Sequence, residues 1–272
     1  MKAVNLNQAS APVVLITGAA VRIGRCIALT MAQRGWDVAL HFNASQQPAK
    51  QLAQEITSLG LGRRTMIIQA DLSQAGQVAT LVPAVIAEFG RLDCVVNNAS
   101  AFEVDNVADF GHVLLDHHMH INVAAPILLA QALFAATPDG QQNCVINILD
   151  QKLFNLNPDF FSYTLSKAAL QCATTTLAQA LAPKVRVVGV APGTTLASIH
   201  QDQHNFEQTH RLAALEKSST PQDIADAVHY LASARAVTGS ILTVDGGQHL
   251  IPLARDVMYV VDANAATQSN HS

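Results

Sequence analysis

Charge is scarce in this chain. Only 13% of its 272 residues are Asp, Glu, Lys or Arg, the formal net charge is −4, and no run of Lys or Arg occurs. A nucleic-acid footprint is therefore not expected. Half of the residues are apolar, enough for a large core, which excludes a disordered chain. Cysteines are few and scattered: Cys26, Cys94, Cys144 and Cys172 make no CxxC pair and no zinc spacing. They sit in apolar runs, as reduced, buried thiols of a cytoplasmic protein would. No uninterrupted apolar run reaches about 18 residues, so no membrane span is expected. The first ten residues are polar and hold no apolar core of a signal peptide. Internal repeats and linkers are also missing, so residues 1–272 read as a single domain with its core at about 10–250.

What is present is an alternation of two patterns. Short runs rich in β-branched residues (Pro12–Thr17, Asp37–Phe42, Arg64–Ala70, Leu92–Asn97, Asn143–Leu149, Val185–Val190 and Ile241–Val244) read as buried strands. Helical patterns separate them, as in Gln46–Leu59 and Ser73–Phe89. The region 107–137 is also helical by pattern, with an interruption around residues 112–122. Strands joined through helices give right-handed crossovers, hence a doubly wound α/β fold with a seven-stranded parallel sheet covered on both faces. Thr220-Pro221-Gln222-Asp223 opens a late helix, with threonine as cap and proline at the first helical position. The polar stretch 194–219 reads as a mobile lid. The tail 248–272 is placed over the pocket or against a neighbouring subunit, with Thr267–Ser272 frayed.

Three stretches carry chemistry. Thr17-Gly18-Ala19-Ala20-Val21-Arg22-Ile23-Gly24 lies between a strand and a helix, where glycine lets the backbone approach a pyrophosphate and the helix N-terminus offers free N–H groups. The middle glycine of the usual dinucleotide fingerprint is missing. After the second strand come His41, Phe42, Asn43, Ala44 and Ser45, with no carboxylate to hold a ribose 2′-hydroxyl. A 2′-phosphate is accommodated instead, with Arg22, His41, Asn43 and Ser45 as donors, so NADP(H) is the expected cofactor. Tyr163 and Lys167 stand four residues apart on one helix face. There the ammonium is expected to lower the phenol's pKa and make Tyr163 a general acid. The cluster His112, Asp116, His117, His118 and His120 scatters around a helix rather than converging, so no metal is expected.

The assembled motifs resemble the short-chain dehydrogenase/reductase family over about residues 10–250. The matching residues are Thr17-Gly18-x-x-x-Arg22-Ile23-Gly24, Asp71, Asn98-Ala99, Asn122, Tyr163-x-x-x-Lys167, Pro192-Gly193 and Asp245-Gly246-Gly247. The resemblance implies a Rossmann-type fold, a homodimer or homotetramer, and a cofactor site that also includes Leu72 and Ser100. Asn122, Tyr163 and Lys167 would be catalytic. Two departures point within the family to a pteridine-reductase-like branch: Ser100 stands where glycine is usual, and Asp150 where a ketone reductase has serine. By that likeness Phe102 would stack on a pterin opposite the nicotinamide, and Ser100 and Arg22 would bind the pterin's polar edge. Asp150 and Tyr163 would manage the proton. The chemistry agrees, because an ionised carboxylate accepts hydrogen bonds only and repels the oxyanion of a reacting ketone. A carbonyl reductase is the alternative enzyme, and an idle NADP-binding sensor is the reading from another class.

Overall fold

The structure is a computed structural model that describes residues 11–198 and 201–260. The expected fraying of Thr267–Ser272, and the tail from residue 261 onward, lie outside the described residues. The seven strands are β1 (Val13–Ile16), β2 (Asp37–Phe42), β3 (Thr65–Gln69), β4 (Cys94–Asn97), β5 (Asn143–Ile148), β6 (Val185–Pro192) and β7 (Ile241–Val244). They form one sheet in the order β3-β2-β1-β4-β5-β6-β7, and every pair is parallel.

The strands are apolar at successive positions because both faces are covered. Val14, Ile16, Val38 and Leu40 point into one core with α1 (Arg22–Gln33), α2 (Gln46–Ser58) and α8 (Pro221–Ser233). Val13, Leu15, Ala39 and Val95 point into the other with α3 (Ala75–Phe89), α5 (Ala125–Ala136) and the far end of α6 (Phe161–Leu181). The strand order reverses between β1 and β4. There the helices leave in opposite directions and open a crevice at the carboxyl ends of the strands.

Local chemistry explains the element boundaries. Thr220 and Asp223 cap α8 reciprocally, with Pro221 at its first turn. The helix expected from residue 107 begins only at His112, as α4 (His112–Met119). Asn106 and Asp109 take up the backbone N–H groups of Ala108 and Asn106, which favours a turn over a helix. The interruption within this region is a π turn, His120–Ala124, that joins α4 to α5 without breaking the helix. By length and composition the stretch His112–Ala136 could cross a membrane. In the fold its Ala125, Leu129 and Leu133 are buried against the sheet and α3. The stretch expected to form a lid contains α7 (Gln203–Arg211), capped by the Asp202 side chain on Asn205 N–H.

Candidate active site

A cavity of about 720 Å³ lies along the carboxyl ends of β1, β4, β5 and β6. Its first wall is the loop between β1 and α1. Gly18 is left-handed (φ +61°), and a Cβ there would press on Ala99; a Cβ on Gly24 would collide with the Gly18 carbonyl. Thr17 ties this loop to the next, its hydroxyl accepting from Asn98 N (2.9 Å) and Ala99 N (3.0 Å). Asn98 answers with its amide, donating to the Thr17 and Gly18 carbonyls. Arg22, also left-handed (φ 54°), reaches across to donate to the Ala197 carbonyl at 2.9 Å.

The second wall is built by α6. Its buried stripe runs Ser162, Tyr163, Ser166, Lys167, Leu170, Thr174, Ala178, the spacing of one helix face. Tyr163 Oη donates to Asp150 Oδ2 at 2.8 Å, and Lys152 N donates to Asp150 Oδ1 at 2.8 Å. Lys167 Nζ donates to the Ile148 carbonyl at 2.8 Å and sits 5.7 Å from the Tyr163 ring centre. In the π turn, Asn122 receives Ala101 N–H and gives its own amide hydrogens to Ala101 O and Ser166 Oγ. Ser166 passes the connection to the Tyr163 carbonyl at 2.7 Å. Phe102 stacks on Phe160 (4.6 Å between centres) and meets Tyr163 edge-on at 4.8 Å.

The matched family model, described as Enoyl-(Acyl carrier protein) reductase, covers residues 18–249. Among solved structures, the chain is similar to FolM alternative dihydrofolate reductase 1 from Brucella canis, complexed with NADP. That likeness has 38% identity and a TM-score of 0.83, over 90% of this chain and 97% of the other. A short chain dehydrogenase from Burkholderia cenocepacia, in complex with NADP, matches at 30% identity and TM-score 0.81 over 89% and 99%. The 3-oxoacyl-[acyl-carrier-protein] reductase of Staphylococcus aureus is 28% identical over 87% of this chain and 97% of its own.

The chain belongs to the short-chain dehydrogenase/reductase family. As a member it is an NADP-dependent oxidoreductase, and its residues fit the cofactor. The glycine loop leaves room for a pyrophosphate against the start of α1, and Asn43, Ala44 and Ser45 line the cavity beyond β2 with no carboxylate among them.

Most residues expected to serve the site line this short-chain reductase's cavity: the glycine loop, Asn98 to Ser100, Phe102, Asp150, Tyr163, Lys167 and Pro192-Gly193. Four do not. His41 is 1% exposed, and both ring nitrogens are engaged: Nδ1 accepts from Gly18 N (3.1 Å) and Nε2 pairs with the Ala70 carbonyl (3.0 Å). It braces the glycine loop instead of donating to a phosphate. Leu72 is buried in the core, and Asp71 accepts from Ser73 N. Asn122 stands behind the wall and orders the loop 100–101.

The electrostatics correct one expectation. Tyr163 is not lowered by Lys167; burial and then the Asp150 charge push its phenol well above the usual range. Burial likewise raises Asp150, against the hydrogen bonds from Lys152 and Tyr163. Burial lowers Lys167 to about 8, with Asp150 opposing. Each group is thus biased toward its neutral form, and the Asp150–Tyr163 hydrogen bond decides where the proton sits.

Sequence reasoning missed Lys152 and Phe160, and it put the tail over the pocket as one of two placements without singling out Asp256, Val257 or Met258; all five are on the cavity wall. Lys152 lies two places after Asp150, so proximity was a usable signal for it. The tail residues are about a hundred positions away, and only the fold brings them in.

Proposed function

We propose that this enzyme is an NADPH-dependent reductase of a pterin-type substrate, taking a dihydropterin or dihydrofolate-like ring to its tetrahydro form. The observation that carries the reading is the carboxylate at position 150, hydrogen-bonded to Tyr163 Oη at 2.8 Å inside an aromatic-lined slot. Bound NADPH would supply the hydride to the ring carbon of a C=N bond. The chain must then deliver one proton to the ring nitrogen. Asp150 and Tyr163 hold that proton between them, because burial disfavours both carboxylate and phenolate. Lys167, facing the Tyr163 ring, offsets negative charge left on the pair once the proton has gone. Phe102 offers its aromatic body to a flat ring, and Ser100 and Arg22 offer donors to the ring's polar edge. The FolM likeness supports the same substrate class.

A carbonyl reductase is the second reading, favoured by the likeness to the 3-oxoacyl reductase. Asp150→Ser separates the two. For a pterin reductase the change removes the carboxyl partner of the proton and lowers kcat/KM for a dihydropterin by about 100-fold or more. Ketone reduction is unharmed or improved, since a hydroxyl then faces the oxyanion. Full dihydropterin turnover by the variant, alongside weaker ketone reduction, would return the carbonyl reading to first place.

A further inference from the structure

Beside the reacting pair lies a charged cluster outside the family motifs. Lys152 is 4% exposed, yet it carries an ammonium on the cavity wall. Its Nζ donates to the Asp159 carbonyl at 2.6 Å and to Asp256 Oδ2 at 3.2 Å, and it lies 5.1 Å from the Phe160 ring centre. Through its own N–H the same residue grips Asp150 Oδ1. Lys152 therefore connects the acid to the tail.

The tail is fastened at several points. Arg255 makes a forked ion pair with Asp159, through Nε at 2.9 and 3.0 Å and Nη2 at 2.7 Å. Asp256 N–H donates to Asp159 Oδ2 at 2.6 Å. Asn205 of α7 donates to the Met258 carbonyl at 3.0 Å, and Asn155 to the Ile251 carbonyl at 2.7 Å. Met258 then joins Phe160 and Tyr163 in one buried cluster, and Tyr259 stacks on Phe160 at 6.1 Å. Asp256 to Met258 thus line the cavity, with Met258 on the side of Phe102, Phe160 and Tyr163. A lone buried ammonium or carboxylate is costly, whereas a paired and hydrogen-bonded set tolerates burial. Lys152 and Asp256 each supply what the other lacks, so the tail closes where the lysine is.

We infer that Lys152 is a positioning residue for the Asp150–Tyr163 pair, and that the tail, by capturing its ammonium through Asp256, closes the substrate end of the cavity and sets the proton affinity of Asp150. The inference rests on the reading that this pair delivers the proton. The titratable groups around the pair are Lys152 on the turn of Asp150 and Lys167 on α6, both acting on Asp150, with Asp256 of the tail acting on Tyr163 and paired with Lys152. Asp159 and Arg255 face one another behind Lys152, and His118 packs against the Tyr163 ring at 6.2 Å. Two substitutions remove opposite charges from this set. Without the Lys152 ammonium, Asp150 holds its proton to higher pH. Without the Asp256 carboxylate, the ammonium acts unopposed and Asp150 releases its proton at lower pH.

The test follows the Asp150 carboxyl directly, by infrared spectroscopy of the full chain with labelled aspartate, the band being assigned by its loss in Asp150→Asn. Lys152→Met should move its midpoint to higher pH, Asp256→Asn to lower pH, and Lys152→Arg should leave it near wild type. With dihydrobiopterin, Lys152→Met should lose on the order of tenfold to a hundredfold in kcat/KM with unchanged NADPH affinity. Midpoints that stay put, or that move the same way in Lys152→Met and Asp256→Asn, would overturn the inference. Should Lys152→Met fail to fold, the downward movement in Asp256→Asn alone decides it. The infrared reading needs no turnover, so a wild type that ignores dihydrobiopterin would defeat the pterin assignment and leave the positioning role to be judged separately.

Discussion

Lys167 offers a test in which stability and function oppose each other. Its side chain is 3% exposed, and burial lowers its pKa from 10.5 to about 8. At about 1.4 kcal/mol per pH unit, that gap amounts to about 3 kcal/mol against folding the charged lysine. Below pH 8 the folded and unfolded chains both carry the proton, and the penalty is complete. Between pH 8 and 10.5 the unfolded chain keeps a proton that the folded chain has released, so stability rises with pH. Lys167→Met keeps an apolar stem and removes the ionisable head. It also forfeits the 2.8 Å hydrogen bond to the Ile148 carbonyl, worth about 1 to 2 kcal/mol with its unsatisfied acceptor. The apoprotein variant should therefore be about 1 to 2 kcal/mol more stable than wild type at pH 7, while losing turnover. Urea unfolding, followed through the single tryptophan, Trp36, measures this. The wild type should gain about 2 kcal/mol or more on the variant between pH 8 and 10, reversing their order. Titrating groups away from Lys167 are common to both proteins and drop out of the difference; Asp150, which the lysine holds down, is the one coupled to it. A difference that stays flat over this window would refute the claim that a buried, depressed lysine faces Tyr163.

Tyr163→Phe deletes one hydroxyl whose hydrogen bond is to Asp150, so the fold and NADPH binding should persist. Turnover should fall by about 100- to 10,000-fold, and a loss below about tenfold would mean that another group delivers the proton. Arg22→Ala should weaken NADPH binding about tenfold or more, the value of a hydrogen bond to a charged group, while NADH binding changes less. Equal losses for the two cofactors would remove Arg22 from the 2′-phosphate and leave it to the pyrophosphate and the pterin edge.

How much of this was readable in the residues follows from the range of each interaction. Strand runs such as Pro12–Thr17 and Val185–Val190 declare themselves because a strand buried on both faces must be apolar at every position. Tyr163 and Lys167 declare themselves because a helix brings residues four apart together wherever it lies. The missing carboxylate after the second strand is likewise local, and it pointed to NADP(H). Boundaries were less legible. Asn106 and Asp109 hold residues 107–111 out of a helix by side-chain bonds that a periodic pattern does not register.

Sign and partnership were decided by tertiary structure alone. A lysine beside a tyrosine lowers the phenol's pKa in water. Here burial outweighs it, and the Asp150 carboxylate, thirteen residues back, raises it further. His41 looked like a phosphate donor, but packing of β2 beside β1 gave both its nitrogens to Gly18 and Ala70. The tail could be placed over the pocket or against a neighbour, but the pairing of Asp256 with Lys152 gave no local sign, since it spans 104 residues. Pattern reports what a residue can do with its neighbours in the chain. Desolvation and long-range charge depend on which distant segments close over it, and those are set only when the sheet, α6 and the tail have come together.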